Sequence, residues 1–261
     1  MNAVLAVLAV LVAAITPARA ALTSAQLAAV EARPIPGARL PLTTVLRDEQ
    51  NRPARLADVI GGQPALLIFA DYTCRTLCGP VIEMAAAALR QSGLRPGRDF
   101  HLVVVGLDPA DGPPLAEKMK AAQLAGTAEI AAAATFLSGD ARSIAALTGA
   151  AGYRYAYDAD NDQFAHPNVV MALTGDGRIS RTLSALGLTG TDVRLALVEA
   201  GHGTIGGVAD RLRLLCYGFD PAQGVYTDRI LDWLRWAGAL SVIALAGAIG
   251  LLHRRMSRRA S

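Results

Sequence analysis

The middle of this chain predicts an α/β fold, a central mixed sheet flanked by helices. Two apolar runs, Ala65 to Phe69 and Phe100 to Leu107, lack the alternation of a half-exposed strand and read as strands buried on both faces. Segments with helical spacing separate them from later strands, so strand and helix alternate. A hairpin pattern then follows, Val169 to Leu173 and Arg178 to Leu183 around the turn Thr174-Gly175-Asp176-Gly177.

Taken in order, Ala21 to Ala38 is rich in Ala and Pro and reads as a helical or loose lead-in. Leu40 to Asp48 alternates in part and turns at Asp48 to Asn51, so a hairpin leading to Leu56 is expected. Gly61 and Gly62 break the chain before the first buried strand. That strand ends at Asp71, Cys74 and Cys78 follow, and Pro80 opens a helix through Val81, Met84, Ala85, Ala88 and Leu89. The turn Arg95-Pro96-Gly97 precedes the second buried strand, which stops at Asp108-Pro109. Pro113-Pro114 opens a helix through Leu124, Phe136 falls in a short strand, and Ala141 to Leu147 is a short helix. Tyr153 to Tyr157 alternates as an aromatic strand before a polar loop, Asp158 to Asn168. After the hairpin, Thr191 or Asp192 caps a helix that runs to Ala200 and ends at Gly201. The order β-α-β-α, hairpin, α is the thioredoxin-like arrangement, with the cysteines after its first core strand.

The 261 residues are 52% hydrophobic and 18% charged, and two strongly apolar ends account for part of that excess. Met1 to Ile15 followed by Ala18-Arg19-Ala20 reads as a signal peptide cut after Ala20, although no Lys or Arg precedes the apolar run. Ala237 to Leu252 carries no charge, with Trp233 and Trp236 before it and Arg254, Arg255, Arg258 and Arg259 after it. Those flanks mark a membrane span over 231–252 with a basic cytoplasmic tail at 253–261, completed by Leu231 and Leu234. The expected plan is a signal peptide at 1–20, a lead-in at 21–39, a folded domain at 40–200 and a connecting segment at 201–230. The domain is then expected on the periplasmic side of the cytoplasmic membrane. A formal net charge of +3, with no basic stripe interleaved with aromatics, argues against a nucleic-acid partner.

Cys74 and Cys78 at a helix N-terminus favour thiolate over thiol. Two cysteines four apart on a helical turn can close as a disulfide or open to hold a metal. Two thiolates and one imidazole suit Cu(I), whereas zinc wants a fourth ligand. Of the four histidines, His166 is the best third ligand, because the loop entering the hairpin strand faces the cysteine turn in such a sheet. Its neighbour Pro167 admits an unusual backbone there, even a cis bond. His101, His202 and His253 have ordinary readings. Cys216, beside Leu214 and Leu215, reads as a buried thiol. Asp158, Asp160 and Asp162 lack the glycine and final carboxylate of a calcium loop and read as a solvated acidic loop.

The stretches FADYTCRTLCGPV, VVVGLDPADGPP and FAHPNVVMALTGDGRIS together resemble the Sco/SenC family of copper proteins involved in cytochrome c oxidase assembly. The likeness runs from about Leu40 to Ala200. The section DRLRLLCYGFDPAQGVY, with an apolar run and arginines after it, looks like a bacterial branch anchored by its tail. The resemblance implies a thioredoxin-like fold and one copper ion, Cu(I) or Cu(II), held by Cys74, Cys78 and His166. It also implies a client such as the copper-site subunit II of an oxidase, and an upstream copper donor or thiol reductant. Three positions depart from the family's pattern: Gly79 stands before Pro80, Arg75 follows the first cysteine, and Pro167 follows the histidine. The competing expectation is a thiol-disulfide oxidoreductase in which Cys74 attacks and Cys78 resolves, with no part for His166. A purely structural disulfide is disfavoured, because so short a loop gains little from cross-linking.

Overall fold

The most buried strand organises the molecule. In the computed structural model, which describes residues 22, 26, 28–35, 37–74, 76–159, 161–201, 217–220, 225–228, 236, 240 and 241, strand β4 (Ala65–Ala70) is buried along its whole length. It follows a lead-in strand β1 (Glu31–Ala32), a hairpin β2 (Val45–Asp48) and β3 (Pro53–Arg55), and a one-turn helix α1 (Leu56–Ile60). After it come α2 (Cys78–Gln91), β5 (His101–Gly106), α3 (Pro113–Leu124), α4 (Ala128–Ala132), β6 (Ala134–Ser138) and α5 (Ala141–Ala150). The chain continues through β7 (Tyr153–Arg154), β8 (Ala156–Asp158), β9 (Gln163–Ala165), β10 (Val169–Leu173), β11 (Ile179–Ser184) and α6 (Gly190–Ala200). A further hairpin joins β12 (Tyr217–Asp220) and β13 (Val225–Asp228).

Seven strands form one mixed sheet in the order β11-β10-β4-β5-β6-β2-β3. β4, β5 and β6 run parallel, while β10 lies antiparallel to β4 on its other side. Alternate residues of β4 feed two cores. Leu66, Ile68 and Ala70 pack with α2, α3 and α6 on one face. Ala65, Leu67 and Phe69 pack with Leu56, Ile60, Leu147 and Tyr153 on the other. A strand buried this way has no polar face, which is why its sequence shows a continuous apolar run rather than alternation.

The expected strand–helix order is present, with local differences. Helix α2 begins at Cys78 rather than at Pro80, so the second cysteine belongs to the helix itself. Tyr153 to Tyr157 is two strands: β7 pairs with the lead-in strand β1, and β8 pairs with β9. Part of the expected polar loop is therefore a hairpin. The last helix is capped by Thr189, not Thr191; Asp192 closes the reciprocal capping box. No peptide bond among the described residues is cis, so the His166–Pro167 bond is trans. Helices α1 and α4 have no counterpart in the sequence expectation. The signal peptide, most of the proposed span and tail, Arg75, Asp160, Cys216, His202 and His253 lie outside the described residues. Among the described residues no helix is long and apolar enough to cross a membrane.

One ion pair ties the β2–β3 turn to the neighbouring strand β6 and to α3. Glu49 is buried, accepts from Lys120 Nζ on α3, and takes the Phe136 N–H of β6 at 3.0 Å. Lys120 also donates to the Ala134 carbonyl. Burial alone would raise the Glu49 pKa, but the Lys120 and Phe136 hydrogen bonds outweigh it and hold it below the ordinary value. A depressed carboxyl contributes stability above its unfolded pKa and loses it as pH falls through the folded value. Lys120→Met, which leaves the carboxylate buried and unpaired, is expected to destabilise the domain by about 3 kcal/mol at pH 7. Urea unfolding should show that difference begin to shrink as pH falls through the raised pKa of the unpaired carboxyl in the variant and close below about pH 4.5, the ordinary glutamate range.

Candidate functional site

Strand direction explains why the cysteines meet the histidine. The chain leaves β4 at Ala70 and enters the cysteine loop at that end of the sheet. Because β10 is antiparallel to β4, with Met171 opposite Leu67 and Leu173 opposite Ala65, its beginning lies at the same end. His166 lies in the short link between β9 and β10, three residues before Val169. His101 stands at the opposite end, since it pairs with Ala65 at the start of β4, and burial lowers its pKa. It takes no part in the site.

The geometry brings two of the three expected donors into direct contact. Cys78 Sγ and His166 Nε2 lie 3.0 Å apart. Cys74 is half-buried and Cys78 buried, and both are free thiols. Among the described residues no group of three His, Cys, Asp or Glu side chains is arranged as a ready-made metal site. Cys74 instead shares a hydrogen bond with Cys78 and lies 3.4 Å from Thr76 Oγ1. The three donors are thus neighbours satisfied by one another. Their composition, two soft sulfurs and one imidazole nitrogen, suits a soft ion.

The two thiols are unequal, in the sense that the competing expectation gave them. The Cys78 hydrogen bond to its sulfur does most to bring the Cys74 pKa down to about 4, aided by Thr76 and by backbone N–H groups against the opposing effect of burial. Cys78 moves the other way: it donates that bond, and burial and the nearby charges of Cys74 and Asp71 add to the cost of ionising it. The thiol on the helix is thus the one pushed up, and the thiol brought down toward thiolate is the one in the loop.

His166 is held from behind. Tyr153 is buried, and its hydroxyl lies 3.0 Å from His166 Nδ1 and 2.9 Å from the Pro167 carbonyl. Nδ1 can donate to that carbonyl, 3.2 Å away, or accept from Tyr153. Either tautomer is accommodated, so Nε2 can serve Cys78 as acceptor or donor. Tyr153 packs against Phe69 of β4 at a centroid distance of 4.7 Å, which fixes this arrangement to the central strand.

Beneath the loop sit two buried carboxyl groups. Asp71, fully buried, accepts from the Thr73 N–H and hydroxyl through Oδ1 and from the Phe164 N–H through Oδ2. Asp111 accepts the Tyr72 N–H at 3.0 Å, and burial, together with the charges of Asp108 and Asp71, raises its pKa to about 6. Gly79, the residue inserted before Pro80, is where α3 comes close: a Cβ there would lie 2.8 Å from the Gln123 side chain. Sequence reasoning missed Asp71, Asp111 and Tyr153 as parts of the site. Their only signal was position, Asp71 at a strand end and Tyr153 at the head of an aromatic run.

A family model described as SCO1/SenC matches residues 45–193, more than half of the chain and the whole stretch that builds this site. The chain belongs to the SCO1/SenC family. No curated protein matches it by sequence. Solved structures share its fold at low identity. A candidate electron transfer protein of Aquifex aeolicus VF5 is 20% identical, with a TM-score of 0.56 over 64% of this chain and 95% of its own. BsSco, a member of the Sco family of cytochrome c oxidase assembly proteins in which a disulfide switch has been identified, is 16% identical, with a TM-score of 0.51 over 65% of this chain and 96% of its own. Copper-bound ScoI of Arabidopsis thaliana is 15% identical, with a TM-score of 0.49 over 63% of this chain and 96% of its own. The mixed sheet with flanking helices is the thioredoxin-like fold of the Sco structure.

The unequal thiols give a direct expectation. In the reduced, metal-free protein, iodoacetamide should modify Cys74 at a rate nearly flat from pH 8 to pH 5 that falls as the sulfur protonates near pH 4. Cys78 should resist modification over that range. Peptide mapping after a timed pulse reads both; a Cys74 rate that rises tenfold per pH unit between 6 and 8 would overturn the assignment.

Proposed function

We propose that this SCO1/SenC protein binds one copper ion through Cys74, Cys78 and His166 and serves the assembly of the copper centre of cytochrome c oxidase. The observation that carries the reading is the 3.0 Å approach of His166 Nε2 to Cys78 Sγ, between residues 88 apart in the chain. A structural disulfide has no need of an imidazole at that place. Copper, when bound, supplies a soft cation for two sulfurs and a nitrogen. The residues would do the rest: Cys74, its pKa brought down to about 4, offers a thiolate, Cys78 must give up its proton, and Tyr153 holds His166, the third donor. The apolar stretch at 1–20 and the run at 231–252 would place the domain on the periplasmic face of the cytoplasmic membrane, tethered by its tail beside a membrane-bound client. The domain plan of the sequence analysis is part of this proposal.

A specific observation also favours thiol reduction as a second role. A low-pKa, half-exposed Cys74 and a buried, protonated Cys78 are the attacking and resolving members of a dithiol. The Cys74 thiolate would attack a client disulfide and release one client thiolate. Cys78 would then displace the second client sulfur, closing Cys74–Cys78 as two electrons pass to the client. The proton lost by Cys78 has an acceptor in reach at His166 Nε2. Both roles need reduced cysteines, so one site can perform both in turn.

Anaerobic loading of the reduced protein with Cu(I) should give one copper per chain. His166→Ala should weaken binding at least tenfold, and Cys74→Ser or Cys78→Ser should abolish it. Full binding in either cysteine variant would refute the ligand set. Client rescue by His166→Ala but not by Cys74→Ser would assign the protein to thiol reduction alone.

A further inference from the structure

The two halves of the site come from segments far apart in the chain, and one side chain joins them. Asp71 Oδ1 accepts the Thr73 N–H at 2.9 Å and the Thr73 hydroxyl at 2.8 Å. Its Oδ2 accepts the Phe164 N–H at 2.9 Å, across 93 residues of sequence. Thr73 immediately precedes Cys74, and Phe164 lies two residues before His166. The carboxyl group is fully buried, so water offers those backbone donors no alternative partner. The Cys74 N–H also closes onto the Asp71 carbonyl at 3.2 Å, so the same residue shapes the loop through its backbone.

We infer that Asp71 is the positioning residue that holds the histidine-bearing hairpin against the cysteine loop, setting the distance between His166 and the thiols. The inference rests on the reading of Cys74, Cys78 and His166 as one site. Its chemistry follows from what a carboxylate can do and an amide cannot. A carboxylate accepts hydrogen bonds on both oxygens. In Asp71→Asn, one side of the group becomes a donor. If the NH2 faces β9, the Phe164 N–H meets another donor; if it faces the loop, the Thr73 N–H does. Either orientation breaks the bridge on one side while the volume of the side chain is unchanged. The β8–β9 hairpin keeps its own pairing, since Tyr157 still pairs with Phe164. The change therefore acts on the relation between hairpin and loop.

The test uses the metal-free protein first. In the wild type, closing the Cys74–Cys78 disulfide should shift the His166 ring NMR signals, because Cys78 Sγ touches Nε2. In Asp71→Asn that shift should fall at least severalfold, with the far-UV circular dichroism of the wild type. Copper affinity provides the second readout: Asp71→Asn should weaken it about tenfold, the lower end of what supporting residues of metal sites cost. The double variant Asp71→Asn/His166→Ala should bind no more weakly than His166→Ala alone. If Asp71→Asn fails to fold, Thr73→Val, which removes only the hydroxyl bond, should produce a smaller loss of the same redox-linked shift. An unchanged redox-linked shift in a folded Asp71→Asn, or in Thr73→Val where that variant is the one used, would overturn the inference. So would additive losses in the double variant. A wild-type protein that binds no copper yet shows the redox-linked His166 shift, reduced in Asp71→Asn, would refute the copper reading and leave the positioning role standing.

Discussion

The opposed directions of β5 and β10 on either side of β4 are the constraint on which the rest depends. A parallel neighbour on one side requires the crossover that carries the cysteines and α2. An antiparallel neighbour on the other brings the start of β10, and with it His166, to the end of the sheet where that crossover begins. β4 is buried on both faces, so it cannot slip by one residue without exchanging the contents of the two cores. Its register therefore fixes where both the loop and the histidine stand. The site is precise because it is attached to the strand with least freedom to move.

The legibility of this protein in its sequence divides along the same line. Local features could be read directly: the buried runs of β4 and β5, the Pro-led helix α3, and the β10–β11 hairpin with its Thr174 to Gly177 turn. Each encodes its structure in a continuous stretch, through periodicity or through turn and cap chemistry. Tyr153 to Tyr157 misled because an alternating run is equally consistent with one strand and with two short ones. The difference lies in the partners, β1 on one side and β9 on the other, and pairing partners leave no mark on a short segment. The helix start moved to Cys78 because Pro at the third position of α2 is still within the turn whose N–H groups have no intrahelical acceptor.

The candidate donors were legible for a different reason, since Cys74, Cys78 and His166 carry uncommon chemistry that stands out wherever it falls. Their supports do not. Asp71 acts on two backbone N–H groups, and a backbone donor has no residue type by which to recognise it. Tyr153 looks like any core aromatic until its hydroxyl is seen against His166 Nδ1. The roles of the two thiols were assigned in the competing expectation, but the cause of their inequality was hidden, because both cysteines share the same stretch of sequence. It arises from burial and from the direction of a single hydrogen bond, which are properties of the folded loop.

On the proposed reading, that inequality reconciles two tasks that compete for one pair of cysteines. A metal ligand set is best served by sulfurs that ionise easily, and a resolving thiol is best kept protonated until it is needed. Here the bond from Cys78 holds the Cys74 sulfur toward thiolate, and the Cys78 sulfur lies 3.0 Å from Nε2 of His166. A soft cation arriving at the site makes the second thiolate favourable by its own charge, and the attack of Cys78 on a mixed disulfide likewise requires that proton to leave. In both cases the imidazole is at hand as the group that answers the lost hydrogen bond, as ligand in the first and proton acceptor in the second. Asp71 contributes through geometry, tying the hairpin segment that precedes His166 to the cysteine loop. On that reading the reduced pair is held one proton short of its active form, and either a metal or a disulfide partner would complete the change.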